Sequence, residues 1–159
     1  MSKSRDHAFL REAIRLSIDK MEANQGGPFG AIVVRKGEVI GQGWNQVTFT
    51  NDPTAHAEVV AIRDACSRLK VFSLEGSEIF CSCEPCPLCL AAIYWSRLDR
   101  VHFAATRDDA AASGFDDCKF YDELAKPIGE RMIPMHQLLR QEALVALKAW
   151  DQKKDRIRY

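Results

Sequence analysis

Hydrophobic positions change their period along the chain, and those changes mark out its elements. In residues 6–23, Leu10, Ile14, Ile18 and Met21 recur at helical spacing, with Phe9 and Ala13 beside them, which predicts an amphipathic helix. Gly26-Gly27-Pro28 ends it. Phe29–Arg35 is apolar and β-branched, Lys36-Gly37 turns, and Glu38–Trp44 continues, the pattern of a two-stranded hairpin. Val47–Thr54 reads as a polar loop, and within it Asp52-Pro53 predicts a helix start, with Asp as cap and Pro in the first turn. A second helix over Ala55–Leu69 buries Val59, Ile62, Ala65 and Cys66. Glu78–Ser82 is a short strand, Pro87–Ser96 a helix, and Arg100–Ala105 a strand with Val101 and Phe103 on one face. Residues 107–125 read as helical turns broken at Gly114, Leu138–Trp150 as a terminal helix, and Asp151–Tyr159 as a charged tail.

Strands alternating with helices define an α/β class in which a mixed sheet is covered by helices on both faces. A length of 159 residues without a repeat or low-complexity linker predicts a single domain, 1–159, with 151–159 as its tail. Ligands on such sheets bind at strand ends beside helix starts. His56 and Cys86 both fall at predicted helix starts.

Charge and composition narrow the partners. Hydrophobic residues make up 47%, which fits a globular protein. Lys plus Arg and Asp plus Glu are both 22, a balance that counts against nucleic acid as the main partner and favours self-association. Lys153, Lys154, Arg156 and Arg158 are the one basic group that favours RNA, and Asp151 and Asp155 dilute it. No signal peptide and no apolar run of membrane-spanning length is visible, so a cytoplasmic, reducing environment is expected. There, six cysteines are better read as metal ligands than as disulfides.

The chemistry concentrates in two short motifs. His56-Ala57-Glu58 supplies an imidazole and a carboxylate; further along, Cys86-Pro87-Leu88-Cys89 supplies two thiols on one turn of helix. Three such ligands hold Zn2+ with one coordination position open, the mark of a catalytic rather than a structural site. A His-x-Glu element followed by Pro-Cys-x-x-Cys is the signature of zinc deaminases, in which the Glu is not a ligand. Glu58 is the acid placed beside the metal, suited to carry a proton from water to a ring nitrogen and on to a departing amine. The competing reading is a four-cysteine structural zinc module of Cys81, Cys83, Cys86 and Cys89, which leaves His56-Ala57-Glu58 without a role. Cys66 and Cys118 read as packing residues, and His7, His102 and His136 as structural ones.

Gly26-Gly27-Pro28-Phe29-Gly30-Ala31, Asn51–Val59 and Ser82–Cys89 resemble the cytidine-deaminase-like superfamily. Ala92–Arg97 also matches, and Gly114-Phe115-Asp116-Asp117 and the terminal Tyr point to its guanine deaminases rather than its tRNA adenosine deaminases, which share the first three motifs. The resemblance implies a three-layer α/β/α sandwich around a mixed five-stranded sheet. It implies hydrolysis of guanine to xanthine and ammonia in purine salvage or catabolism, at a zinc held by His56, Cys86 and Cys89 with Glu58 as proton shuttle. It also implies a homodimer whose carboxy-terminal segment crosses to cover the partner's site.

The substrate contacts it implies are Asn45, Asp117, Phe29, Ala57, Trp95 and Tyr159, toward a small purine base. A carboxylate at Asp117 suits guanine, which presents donors on the edge bearing its exocyclic amine. Each contact has a plainer alternative: a turn residue for Asn45, a capping acid for Asp117, core packing for Phe29 and Trp95, and a frayed end for Tyr159. Guanosine, an amino-triazine or tRNA adenosine are the alternative substrates.

Overall fold

The computed structural model describes residues 3–115 and 117–159, and divides into two compact units, Met1–Cys118 and Lys119–Tyr159. The first contains α1 (Lys3–Glu22), β1 (Gly30–Arg35), β2 (Glu38–Trp44), α2 (Val47–Thr50), α3 (Ala57–Leu69), β3 (Ser77–Cys83), α4 (Pro87–Trp95), β4 (Arg100–Ala105) and α5 (Arg107–Ala112). The sheet order is β2-β1-β3-β4, antiparallel except for the parallel β3–β4 pair, which α4 connects.

Alternation along the central strands builds a core on each face of the sheet. Ala31 and Val33 of β1 and Ile79 and Cys81 of β3 face α3 and α4, where they pack with Ala57, Ala61, Ala65 and Ile93. Ile32, Val34 and Phe80 face α1 and pack with Ala13, Phe9 and Leu10. Helices on both faces of a mixed sheet make the expected α/β/α sandwich. The sheet has four strands rather than the expected five among the described residues. After β4 the chain continues as helices and irregular backbone, and residues 126–139, which include Pro127 and Pro134, join no ladder.

Two expectations at the entry to α3 change. Residues 47–50 form a helical turn, α2, closed by left-handed Asn51, where a loop was expected. Asp52 does not cap α3: its Oδ1 accepts from the Thr54 amide (2.8 Å) and hydroxyl (2.7 Å), a local turn that consumes the carboxylate. The helix therefore starts at Ala57 with His56 as N-cap. Close backbone packing fixes that start. A Cβ on Gly43 of β2 would lie 2.3 Å from the Ala57 carbonyl oxygen and 2.4 Å from the Ala61 nitrogen, so only glycine lets α3 settle this low on the sheet.

The second unit holds α6 (Cys118–Ala125, which begins one residue before it), a 3-10 turn (Ile128–Glu130) and α7 (Arg140–Gln152). None of residues 119–159 is buried. No helix among the described residues is long and apolar enough to cross a membrane.

Candidate metal and active site

Both metal motifs sit at helix N-caps, and in neither does the side chain cap. His56 (φ −68°, ψ 153°) and Cys86 (φ −68°, ψ 170°) adopt nearly the same extended backbone, and each carbonyl accepts the first helical bond, from Val60 and from Leu90. An N-cap side chain ordinarily bonds back to the first-turn amides; here neither does. The imidazole and thiol stay free to meet each other instead. Pro87 at the first position of α4 has no amide to leave unsatisfied. Cys89, one turn on, turns back toward Cys86.

The three ligand atoms close on one point. His56 Nδ1 lies 3.5 Å from Cys86 Sγ and 3.4 Å from Cys89 Sγ, and the two sulfurs are 3.6 Å apart. A tetrahedral zinc with Zn–S of about 2.3 Å and Zn–N of about 2.0 Å spaces its ligand atoms by roughly 3.5–3.8 Å. The triangle fits that ion, and these three residues are the one group of His, Cys, Asp and Glu so arranged among the described residues. The four-cysteine alternative does not form. Cys83 Sγ donates to the Thr106 carbonyl oxygen (3.5 Å), with burial pushing its thiol up to about 11, and Cys81 is buried in the core beneath α3.

The three groups also shift one another's protonation. The hydrogen bond with Cys89 and that with His56 hold the Cys86 thiol down at about 4, against the effect of burial. The same bond with Cys86, burial and the charge of Glu58 push Cys89 up. Contact with Cys86 raises His56. Metal binding by cysteine takes the thiolate form, and a divalent ion favours ionisation of both sulfurs.

Glu58, in the first turn of α3, is buried and lies 3.3 Å from Cys89 Sγ, which donates to its Oε2. Burial raises its carboxyl above the usual range. Asp117 is half-buried, and its Oδ1 is buried with no hydrogen-bond partner among the described residues. Its carboxyl is raised by burial first and then by the charge of Cys86, which places it in the field of the metal cluster. It stands directly before α6; Asp116 lies outside the described residues.

The other sequence-derived positions separate. Asn45 lies beside the His56 segment, since the next amide, Gln46, donates to Ala55 (2.8 Å). Its Oδ1 accepts from Val47 (3.2 Å), the turn geometry that the plainer alternative anticipates, yet its amide nitrogen has no partner among the described residues. Ala57 is buried under Gly43. Phe29 is half-buried and meets Phe115 edge-on, with ring centroids 4.7 Å apart at 79°. Trp95 is not core: it ends α4, 61% exposed, with Arg97 over its ring, about 9 Å along the helix axis from Cys89. Tyr159 belongs to the second unit and is exposed. Sequence reasoning missed the pair of Glu78 and His102, 2.7 Å apart across β3 and β4, with the imidazole stacked on Phe80. Only the parallel register reveals it.

Residues 3–105 match the cytidine and deoxycytidylate deaminase zinc-binding region. The chain belongs to that family of zinc deaminases. It is 49% identical over 142 residues to the guanine deaminase of Bacillus subtilis, a match covering 89% of this chain and 91% of that one. The X-ray structure of guanine deaminase from Bacillus subtilis superposes with a TM-score of 0.94 at 45% identity, covering 100% of this chain and 99% of that one. A tRNA-specific adenosine deaminase of Aquifex aeolicus is 43% identical over 97 residues, 61% of this chain and 64% of that one.

Proposed function

We propose that this protein hydrolyses guanine to xanthine and ammonia at a zinc ion held by His56, Cys86 and Cys89. The observation that carries the choice of guanine is the buried, unpartnered Oδ1 of Asp117 beside the ligand triangle. A buried acceptor with no donor is costly. Guanine offers two donors on one edge, the ring N–H and the exocyclic amine, and a carboxylate accepts both. Adenine and cytosine lack that pair. The near end-to-end similarity to a guanine deaminase supports the same substrate, because the tRNA deaminase match covers a smaller share of the chain.

Zinc, when bound, supplies a water whose pKa falls from about 15.7 to about 7. Asp117 holds the amine-bearing edge of the base, Asn45 offers its free amide to the opposite edge, and Phe29 lies against the ring. Ala57, between His56 and Glu58, lines the floor. Glu58 accepts the proton lost by the attacking water and gives it to ring nitrogen 3 of guanine. A second proton passes through the same carboxyl to the amine on carbon 2, which leaves as ammonia. A buried carboxyl with a raised pKa suits both transfers.

The enzyme works as a homodimer in the cytoplasm, with the carboxy-terminal segment crossing to the partner so that Tyr159 and Trp95 close a site. Supporting this, residues 119–159 bury none of their side chains while exposing Phe120, Leu124, Ile133, Leu138, Leu147 and Tyr159. All six cysteines are free, which suits a reducing compartment.

The test is ammonia release by the zinc-loaded protein from guanine, guanosine, adenine, cytosine, cytidine, an amino-triazine and tRNA. Guanine should be turned over far faster than the others. Faster release from tRNA or cytidine would overturn the assignment.

A further inference from the structure

We propose that Ser82 is a positioning residue for guanine binding, holding Phe29 and Asn45 in place through the Gly30 amide. The inference rests on the reading of Phe29 and Asn45 as contacts to the base.

The β1–β3 ladder ends at Ala31 and Cys81. One residue further, the Gly30 amide is taken by a side chain: Ser82 Oγ accepts it at 3.0 Å, with both groups buried. Beyond that point β3 pairs only with β4, through Cys83 and Ala105, so no β3 carbonyl is available to Gly30. The other edge of Gly30 pairs with Trp44 of β2, and α1 covers its Cβ face. A Cβ there would lie 2.4 Å from the Ala13 carbonyl oxygen and 2.9 Å from the Ser17 nitrogen. The backbone at Gly30 is thus held on three sides, by the pairing with β2, by helix α1 over its Cβ face and by one hydroxyl on the β3 side.

What this clamp carries is the preceding residue. The Phe29 carbonyl accepts the Asn45 amide at 3.0 Å, and Gly26 packs so tightly that a Cβ would sit 1.7 Å from the Asn45 carbonyl oxygen. A shift at Gly30 therefore moves the Phe29 ring and the Asn45 amide together. Ser82 touches neither the ligand triangle nor Glu58 in any recorded hydrogen bond, so its loss should act on binding and leave the chemical step largely intact.

Ser82→Ala removes the acceptor and leaves a buried amide unpaired. The expected result is a KM for guanine raised about ten-fold, with kcat within about two-fold of the wild type and full zinc content. Ser82→Thr keeps the hydroxyl; its added methyl can enter the cavity of about 360 Å³ lined by Ser82, Phe29 and Phe115, and KM should return to the wild-type value. Ser82→Cys, with similar size and a weak sulfur acceptor, should fall between the two, and it serves as the reading if the alanine variant does not fold. An unchanged KM in the Ala or Cys variant, or a loss of kcat and zinc together, overturns the positioning role. Asn45→Ala and Phe29→Leu, measured alongside, separate the premise from the inference. If both leave KM unchanged, the base-contact reading is wrong; if both raise it and the Ser82 variants do not, only the role of Ser82 is wrong.

Discussion

The two units of the chain use apolar residues in opposite ways. In Met1–Cys118 they converge: Ile32, Val33, Ile79 and Phe80 are almost fully buried, and each such side chain contributes about 1.5–3 kcal/mol. In Lys119–Tyr159 they diverge, with Ile133 75% and Leu138 80% exposed. The first unit encodes its own core and sets the ligand triangle on it. The second has exposed apolar positions and no buried core of its own, the observation behind the proposal that a second copy covers it. If the proposed closure by the second unit holds, chemistry and closure are separable in this chain, and mutations in each unit should show it.

The largest effect belongs to the first unit. Glu58→Gln keeps the size of a buried side chain and removes the proposed proton carrier. Ammonia release from guanine should fall about a thousand-fold or more, with unchanged zinc content and melting temperature. Asp117→Ala comes next. Losing a charged acceptor for two donors should weaken guanine binding about ten- to a hundred-fold in KM, with little change in thermal melting. A matching loss of stability would make Asp117 structural. Removal of Tyr159 alone probes the second unit: guanine turnover should drop about ten-fold with zinc content intact. Full activity without it would dissolve the distinction between chemistry and closure.

The smallest effect is on acid stability at α5. Thr106 and Asp109 form a reciprocal capping box, and hydrogen bonds from the Thr106 amide and hydroxyl hold the Asp109 carboxyl below its ordinary range. Because the folded value is the lower one, the cap contributes fully above the ordinary carboxylate pKa and is lost as pH falls through the folded value. Asp109→Asn should lower the melting temperature slightly at neutral pH and least in acid, so that the acid limb of the profile is flatter.

Legibility in the sequence followed how local the cause was. The strand at Arg100–Ala105 and the helix from Pro87 rest on alternation and on a proline at a helix start, both visible within a few residues. His56, Glu58, Cys86 and Cys89 were legible as motifs because spacing alone fixes their side on a helix turn. The start of α3 was missed because Asp52 can cap a helix or close its own turn, and the Thr54 hydroxyl decides for the turn. The short helix α2 was hidden by Val47, Thr48 and Thr50, β-branched residues with weak helix propensity. Ser82 with Gly30 and Glu78 with His102 depend on strand register across distant segments, which no local pattern carries.

Zinc-edge X-ray absorption on the purified, active protein tests the central claim most directly. Two sulfurs at about 2.3 Å and two lighter atoms at about 2.0 Å, one of them exchangeable, are expected. Three or four sulfurs around the metal would contradict a catalytic centre built on His56, Cys86 and Cys89.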